Sequence, residues 1–413
     1  MSLAQCLLAF PGFPHNVPAT PAAHRLYRYG ERILKFDWTL GFLDAPAGMT
    51  DFRKFDEPIR AEMFSIERLE QHAESLAKEH VVSAEPRKGS QLSPRVQENG
   101  RILLRAYREI AESIRAGRAI TPAAEWLVDN FHIVDEQLRD IRAHLPAGYY
   151  RELPKLAAGH LAGFPRVYSL AWGLVAHSDS RFEPELLRRY VAAYQHVQPL
   201  TIGELWAIPI TLRVVLIENL RRLAVRIVGS QIARKQADEL ADSVLGLGGE
   251  TPRTADSSFQ NVSSDALLPA FTVQLVQRLR YQDPQVTPAL KWLETRLAEQ
   301  GTNSDDVVLR EHNSQAAGNV TVRNIITSMR LISAFDWAGF VEEISLVNQL
   351  LATSPGFTAM DFITRDRYRH GIEDLAKGSG KPELEVARRA VEKVARLAAN
   401  QARAATPMPP SRF

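Results

Sequence analysis

The chain has 413 residues, of which 45% are apolar and 24% charged, with a formal net charge of +2. These values fit a soluble globular protein with a substantial core, and they remove the bulk electrostatic case for nucleic acid or an anionic membrane as a partner. A single cysteine, Cys6, excludes intrachain disulfides and any multi-cysteine metal site, and fits a reducing compartment.

Residues 1–54 hold prolines and glycines without sustained periodicity and read as an irregular arm with one short helix near 22–36. The apolar run Leu3–Phe10 has no basic region before it and is interrupted by Pro11 and Pro14, so it does not read as a signal peptide. A first helical block is expected over 55–245, opening with a helix from about 58 to 80. The turn-rich stretch 82–96, VSAEPRKGSQLSPRV from Val82 onward, is read as a flexible linker inside that block, followed by a helix near 98–116.

Residues 120–156 carry the clearest local signal. Thr121 can cap a helix whose first position is Pro122, where no N–H is needed. Leu127, Phe131, Val134, Leu138, Ile141 and Leu145 then build one apolar stripe, with Glu125, Asp129, His132 and Glu136 opposite. The acidic stripe with its histidine invites a metal reading. No other histidine has Asp or Glu three residues before it, so the second half of a bundle-type site is missing and a solvated face is expected. Helices follow over 160–177, after Pro184, and from 202 to about 245. Thr201 and Glu204 form a capping box at the start of the last, and Pro209 should kink it.

The polar stretch 246–264 is the clearest break in the chain. Beyond it a second helical block, 265–404, is expected. Its helices lie near 265–281, 285–300, 303–316, 320–352, 360–377 and 382–403, with a restart at Asp336 and a disordered tail over 405–413. Strand-like alternation is nearly absent, so the fold class is all-α, a multi-helix array in two packed blocks. Outside residues 1–24, where prolines interrupt the apolar run, no 18-residue window is free of charge. The most apolar stretches, 161–177 and 201–220, carry Arg166 and then Glu204, Arg213 and Glu218, so both read as buried helices of a cytoplasmic protein with no membrane span.

Chemistry-bearing motifs are few. No two aspartates stand two residues apart, and Gln277–Tyr281 approaches a Gln-x-x-Arg-Trp motif only on a helix without metal carboxylates. The stretch GSGKPE at 378–383 lacks Walker spacing and reads as a turn, with Ser379 near the cap and Pro382 opening the last helix. There is no nucleophile elbow, so neither nucleophilic catalysis nor a cofactor or metal is expected.

Four phrases stand out: ITPAAEWLVDNFH, LPAGYYRELPKL, PLTIGELWAIPITLR at 199–213 and MDFITRDRYRH at 360–370. In this order they resemble the N-terminal cytoplasmic region of bacterial cyclic β-1,2-glucan synthases, over roughly residues 55–395. The full-length enzymes of that family polymerise glucose from UDP-glucose and close a ring. Their transferase motifs lie later, among membrane helices, and a phosphorylase-like part follows. The resemblance therefore implies a non-catalytic module that scaffolds a membrane glucosyltransferase at the inner-membrane face. The alternatives are a stand-alone glucan- or protein-binding module and an inactive fragment.

Two clusters could meet a glucan or a partner helix. The first is Tyr149, Tyr150 and Arg151, with Arg166 and Tyr168 about a dozen residues on. The second is Asp361, Arg365, Arg367 and Arg369, with Asp366 and Tyr368 among them. Aromatic rings beside arginines stack on sugars or anchor partners. The competing reading is an internal network of arginine–carboxylate pairs and tyrosine hydroxyls that locks helix ends together. Trp126, Trp206 and Trp337 are expected in the core.

Overall fold

The computed structural model describes residues 57–83, 89, 92–245, 268–279 and 287–405. The expected helix at 22–36, the arm 1–54, the stretch 246–264 and the tail after 405 lie outside them. Among the described residues there are helices and no strands, which bears out the all-α expectation. Two isolated bridges, Val82 with Leu156 and Lys155 with Pro165, are the nearest approach to sheet.

The described residues begin with an extended segment, not with the helix expected from about 58. Ile59 donates its N–H to Asn219 Oδ1 (2.7 Å) and accepts from Asn219 Nδ2 (3.2 Å), while Ala61 and Phe64 donate to Ala176 and His177 carbonyls. Backbone groups committed to those partners cannot close a helical turn, so α1 (Ile66–Glu79) starts only at the Ser65 cap. Helix α2 (Leu92–Arg115) starts earlier than expected because Leu92, Val96, Leu103 and Ile110 form a buried stripe.

The segment after Thr121 and Pro122 starts as expected but is two helices, α3 (Pro122–Asp129) and α4 (Phe131–His144). Asn130 divides them. Its side chain donates to the Trp126 carbonyl at 2.9 Å, competing with the helical ladder, and its Oδ1 accepts from Arg330. The stripe Glu125, Asp129, His132 and Glu136 is solvent-exposed. A short α5 (Ala147–Glu152), α6 (Arg166–His177) and α7 (Pro184–Val197) follow.

Helix α8 (Ile202–Leu245) is the axis of the array. From Ile202 to Leu220 every residue is buried, which fits a helix apolar on all sides, and α2, α4, α6 and α11 pack around it. The capping box forms as read: Thr201 N–H donates to Glu204 Oε2 (2.9 Å) and Glu204 N–H to Thr201 Oγ1 (3.2 Å). Its far half carries Ala233, Ala237 and Ala241 one turn apart, and these small residues admit Phe271, Leu275 and Leu279 of α9 (Pro269–Leu279). Leu293 and Leu297 of α10 (Thr287–Glu299) and Val307 complete that cluster.

Helix α11 (Ser304–Ala334) runs through the expected break near 316–320. The chain then restarts at the Asp336 cap, whose carboxylate accepts from Gly339 N–H at 3.0 Å, to give α12 (Trp337–Ile344) and α13 (Leu346–Leu351). After α14 (Pro355–Thr358), helix α15 (Phe362–Ser379) ends at Gly380 (φ 66°), and α16 (Glu383–Ala405) packs on α13 and α15. The GSGKPE stretch is the expected turn, its left-handed position filled by the residue that tolerates it. Trp206 and Trp337 are core residues, and Trp126 is half-buried with Arg323 over its ring. The described helices all fall in one unit, Pro58–Phe413.

Candidate functional site

The first sequence cluster folds inward. On α5, the Tyr149 hydroxyl donates to the Gly203 carbonyl at the start of α8, and burial, reinforced by Glu373 and Glu204, pushes its ionisation far above the usual phenol range. Tyr150 is buried with Lys155 Nζ 5.0 Å from its ring centre. That ammonium donates to the carbonyls of Tyr150 (3.0 Å), Arg151 (3.2 Å) and Leu153 (3.1 Å), so it caps the end of α5. Arg151 itself is exposed.

Arg166 enters the deepest ion pair of the array. Its Nε and Nη2 grip Glu204 at 2.6 and 2.7 Å, and its remaining donors reach Gln198 Oε1 (2.9 Å) and the Pro199 carbonyl (2.8 Å). Glu204 is fully buried. Tyr168 is buried beside a second network, and its hydroxyl has no hydrogen-bond partner among the described residues. There Glu218 accepts from Arg95 (3.0 and 2.8 Å), Asn99 (2.7 Å) and Arg222 (3.0 and 2.9 Å). Burial opposes the Glu218 charge, but these donors outweigh it and hold the carboxyl down at about 2.

The second cluster is likewise built into the helix junctions. Asp361 caps α15, accepting from Thr364 N–H at 2.8 Å. Arg365 grips Glu342 of α12 through two contacts of 3.0 Å. Arg369 is fully buried and joins Glu342 (2.9 Å), Asn348 Oδ1 (3.0 Å) and Asp366 (3.0 Å). Arg367 and Tyr368 point to solvent, Tyr368 being 51% exposed, and the capping Asp361 is exposed as well.

The two clusters meet along α15. Glu373, one turn beyond Arg369, approaches Tyr149 and Gly203, and Lys377 bridges Glu373 (2.9 Å) and Glu152 (3.0 Å). Glu383 of α16 closes the junction, accepting from the Ile202 N–H at 2.8 Å. Chemically, the arrangement ties helix ends together, with Arg151, Asp361, Arg367 and Tyr368 among the groups left at the surface.

Sequence reasoning missed a separate cleft of about 160 Å³, set between α8 and α11 and closed by the segment at Pro58–Arg60 and the start of α3. Arg60, Arg226 and Arg234 line it, with Glu311, Ser314 and Asn319. Its residues come from four distant stretches, so no local motif could announce it. The spacing of Arg226 and Arg234, two turns apart on one helix face, was the one available signal. Among the described residues no group of three or more His, Cys, Asp or Glu is arranged to hold a metal ion, and no helix is long and apolar enough to cross a membrane.

Comparison with known proteins agrees with the resemblance read from the phrases. The chain is 38% identical over 341 residues, 82% of its length, to the cyclic beta-(1,2)-glucan synthase NdvB of Rhizobium meliloti (strain 1021). The chain spans 12% of that protein's length. No family model matches the chain.

Proposed function

We propose that this chain acts in cyclic β-1,2-glucan synthesis as a non-catalytic helical module that scaffolds a membrane glucosyltransferase from the cytoplasmic side. The similarity to part of a cyclic glucan synthase supplies the context. The observation that carries the scaffold reading is the commitment of the candidate side chains to internal partners. Arg166, Arg365 and Arg369 are held in two-point grips on Glu204, Glu342 and Asp366, and Tyr149 is spent on the Gly203 carbonyl. Groups used this way fix the angles between helices and present a rigid outer surface; they are not free to turn over a substrate.

Two measurements test the reading. Incubation of the purified chain with UDP-glucose should release no glucan and no glucose, and any transfer by the chain alone would refute a non-catalytic role. The remaining parts of a synthase, produced separately, should co-elute with this chain in detergent, and independent elution of two folded partners would remove the scaffold.

A second reading, a glucan-binding module, is favoured by one feature. Arg367 and Tyr368 stand exposed side by side on α15, a cation and a ring of the kind that stacks on sugars. Calorimetric titration with β-1,2-glucan oligosaccharides decides it. Saturable binding that disappears in Tyr368→Ala or Arg367→Ala would make carbohydrate handling the function.

A further inference from the structure

The arginine-lined cleft between α8 and α11 has the composition of a binding site, and nothing in the scaffold reading uses it. Arg226, Ser230 and Arg234 share one face of α8, each one turn from the next. Facing them, α11 presents Glu311, Ser314, Gln315 and Gly318, again one face. The α11 side is open at Gly318, where an added Cβ would meet nothing within 4 Å.

Charge in the lining is unbalanced, with three arginines against Glu311; Arg60 is paired with Asp179 outside the lining, while Arg226 and Arg234 face the cleft without a carboxylate partner among the described residues. Glu311 is itself buried and accepts from Gln315 Nε2 at 2.6 Å. Arg226 donates to the neutral Ser314 hydroxyl at 2.6 Å, and Arg234 makes no hydrogen bond or ion pair among the described residues. Asn319 accepts from Ala123 N–H through Oδ1 (3.0 Å), which leaves its amide NH₂ as a donor.

Arg60 is positioned at the lip by an unusual turn. Asp179, 3.6 Å from Arg60 Nε, and Ser180 are adjacent non-glycine residues with φ of 49° and 63°. Both are buried, and the turn is fixed by Thr321 (2.6 Å) and Asn324 (3.0 Å) on Asp179 and by Asn219 (2.9 Å) and Ser328 (2.8 Å) on Ser180. A backbone conformation that L-residues avoid, held by four outside donors beside a charged cleft, is the pattern of a prepared site.

We infer that this cleft binds a compact phosphate-type oxyanion. Guanidinium groups approaching from both the lip and the α8 face suit an anion whose oxygens point in several directions, whereas one planar carboxylate is satisfied by a single fork. The volume is well under the roughly 300 Å³ at which pockets for larger organic ligands begin, so a phosphate or diphosphate fits better than a glucan chain. This site stands apart from the scaffold reading, and either can fail alone.

The test is calorimetric titration of the full chain with pyrophosphate, and then with inorganic phosphate, at moderate salt. One saturable site is expected, weakened about tenfold or more by Arg226→Ala and by Arg234→Ala. Gly318→Leu should abolish binding by filling the cleft, and Arg296→Ala, an exposed arginine on α10, should leave it unchanged. Circular dichroism and melting of each variant establish that it folds. If Gly318→Leu does not fold, the two arginine variants decide. A flat titration of the unmodified chain overturns the site, as does equal weakening by Arg296→Ala. Citrate binding as tightly as pyrophosphate overturns the phosphate class.

Discussion

Glu204 and Glu218 show what a buried carboxylate requires. Both are buried in the first half of α8, Glu204 in its first turn, and each is surrounded by donors: Arg166 and Thr201 for the first, Arg95, Asn99 and Arg222 for the second. Removing one partner leaves an uncompensated charge, which costs on the order of 3–5 kcal/mol in comparable buried pairs. Arg166→Ala should therefore lower the urea midpoint by an amount corresponding to about 3 kcal/mol or more. A loss under about 1 kcal/mol would mean that water or a neighbouring donor replaces the guanidinium. Converting both partners, as Arg166→Met with Glu204→Leu, should recover most of the loss, because two apolar groups leave no charge behind. The pattern also explains why residue type alone was ambiguous. Arginine beside tyrosine reads equally as a sugar platform and as a helix lock, and the decision rests on partners such as Glu204, 38 residues away from Arg166.

At the scale of elements, the junction of α15 and α16 with the start of α8 should respond to pH. Glu383 is pushed up to about 7 by burial, reinforced by Glu373 and Glu204 and opposed by the Ile202 N–H and Lys377. His370 is raised to about 8, first by its hydrogen bond to Asp366, with Glu373 adding to the effect. Both groups bind their proton more tightly folded than unfolded. Their contributions are therefore present below the unfolded values and are lost as pH rises, for Glu383 between about 4.5 and 7 and for His370 between about 6.5 and 8. Stability measured by denaturant should fall between about pH 6.5 and 8, with a slope of at most about 1.4 kcal/mol per pH unit for each proton. His80 works the other way. Burial lowers it to about 4, so its contribution is lost as pH falls from 6.5. The decisive comparison is Glu383→Gln against the unmodified chain. The variant should lose the fall that Glu383 contributes between about pH 4.5 and 7, so its stability rises relative to that of the unmodified chain over this range, and identical profiles would show that Glu383 is not the group responsible.

For the whole molecule, α8 couples early and late parts of the chain. Its first half is wrapped by α2, α4 and α6, and its second half carries the alanine ladder that receives α9. Helix α11 packs on α3, α4, α8 and α9. Shared helices of this kind favour one cooperative transition, so thermal unfolding followed by circular dichroism and by tryptophan fluorescence should give coincident midpoints. Two separated transitions would mean that the α9–α10–α11 cluster unfolds independently. Local sequence determined the helices, because capping and periodicity act over a few residues: Thr121 with Pro122, Thr201 with Glu204, Asp336 and Asp361 each start a helix where their side chains predict one. It also carried the resemblance to cyclic glucan synthases, since long ordered phrases survive in the linear chain. Tertiary structure alone decided the extended entry at Ile59, the division at Asn130 and the cleft of Arg60, Arg226 and Arg234. In each case the deciding partner lies far away in sequence (Asn219, Arg330, the facing side of α11), and one-dimensional spacing holds no record of contacts made only when helices pack.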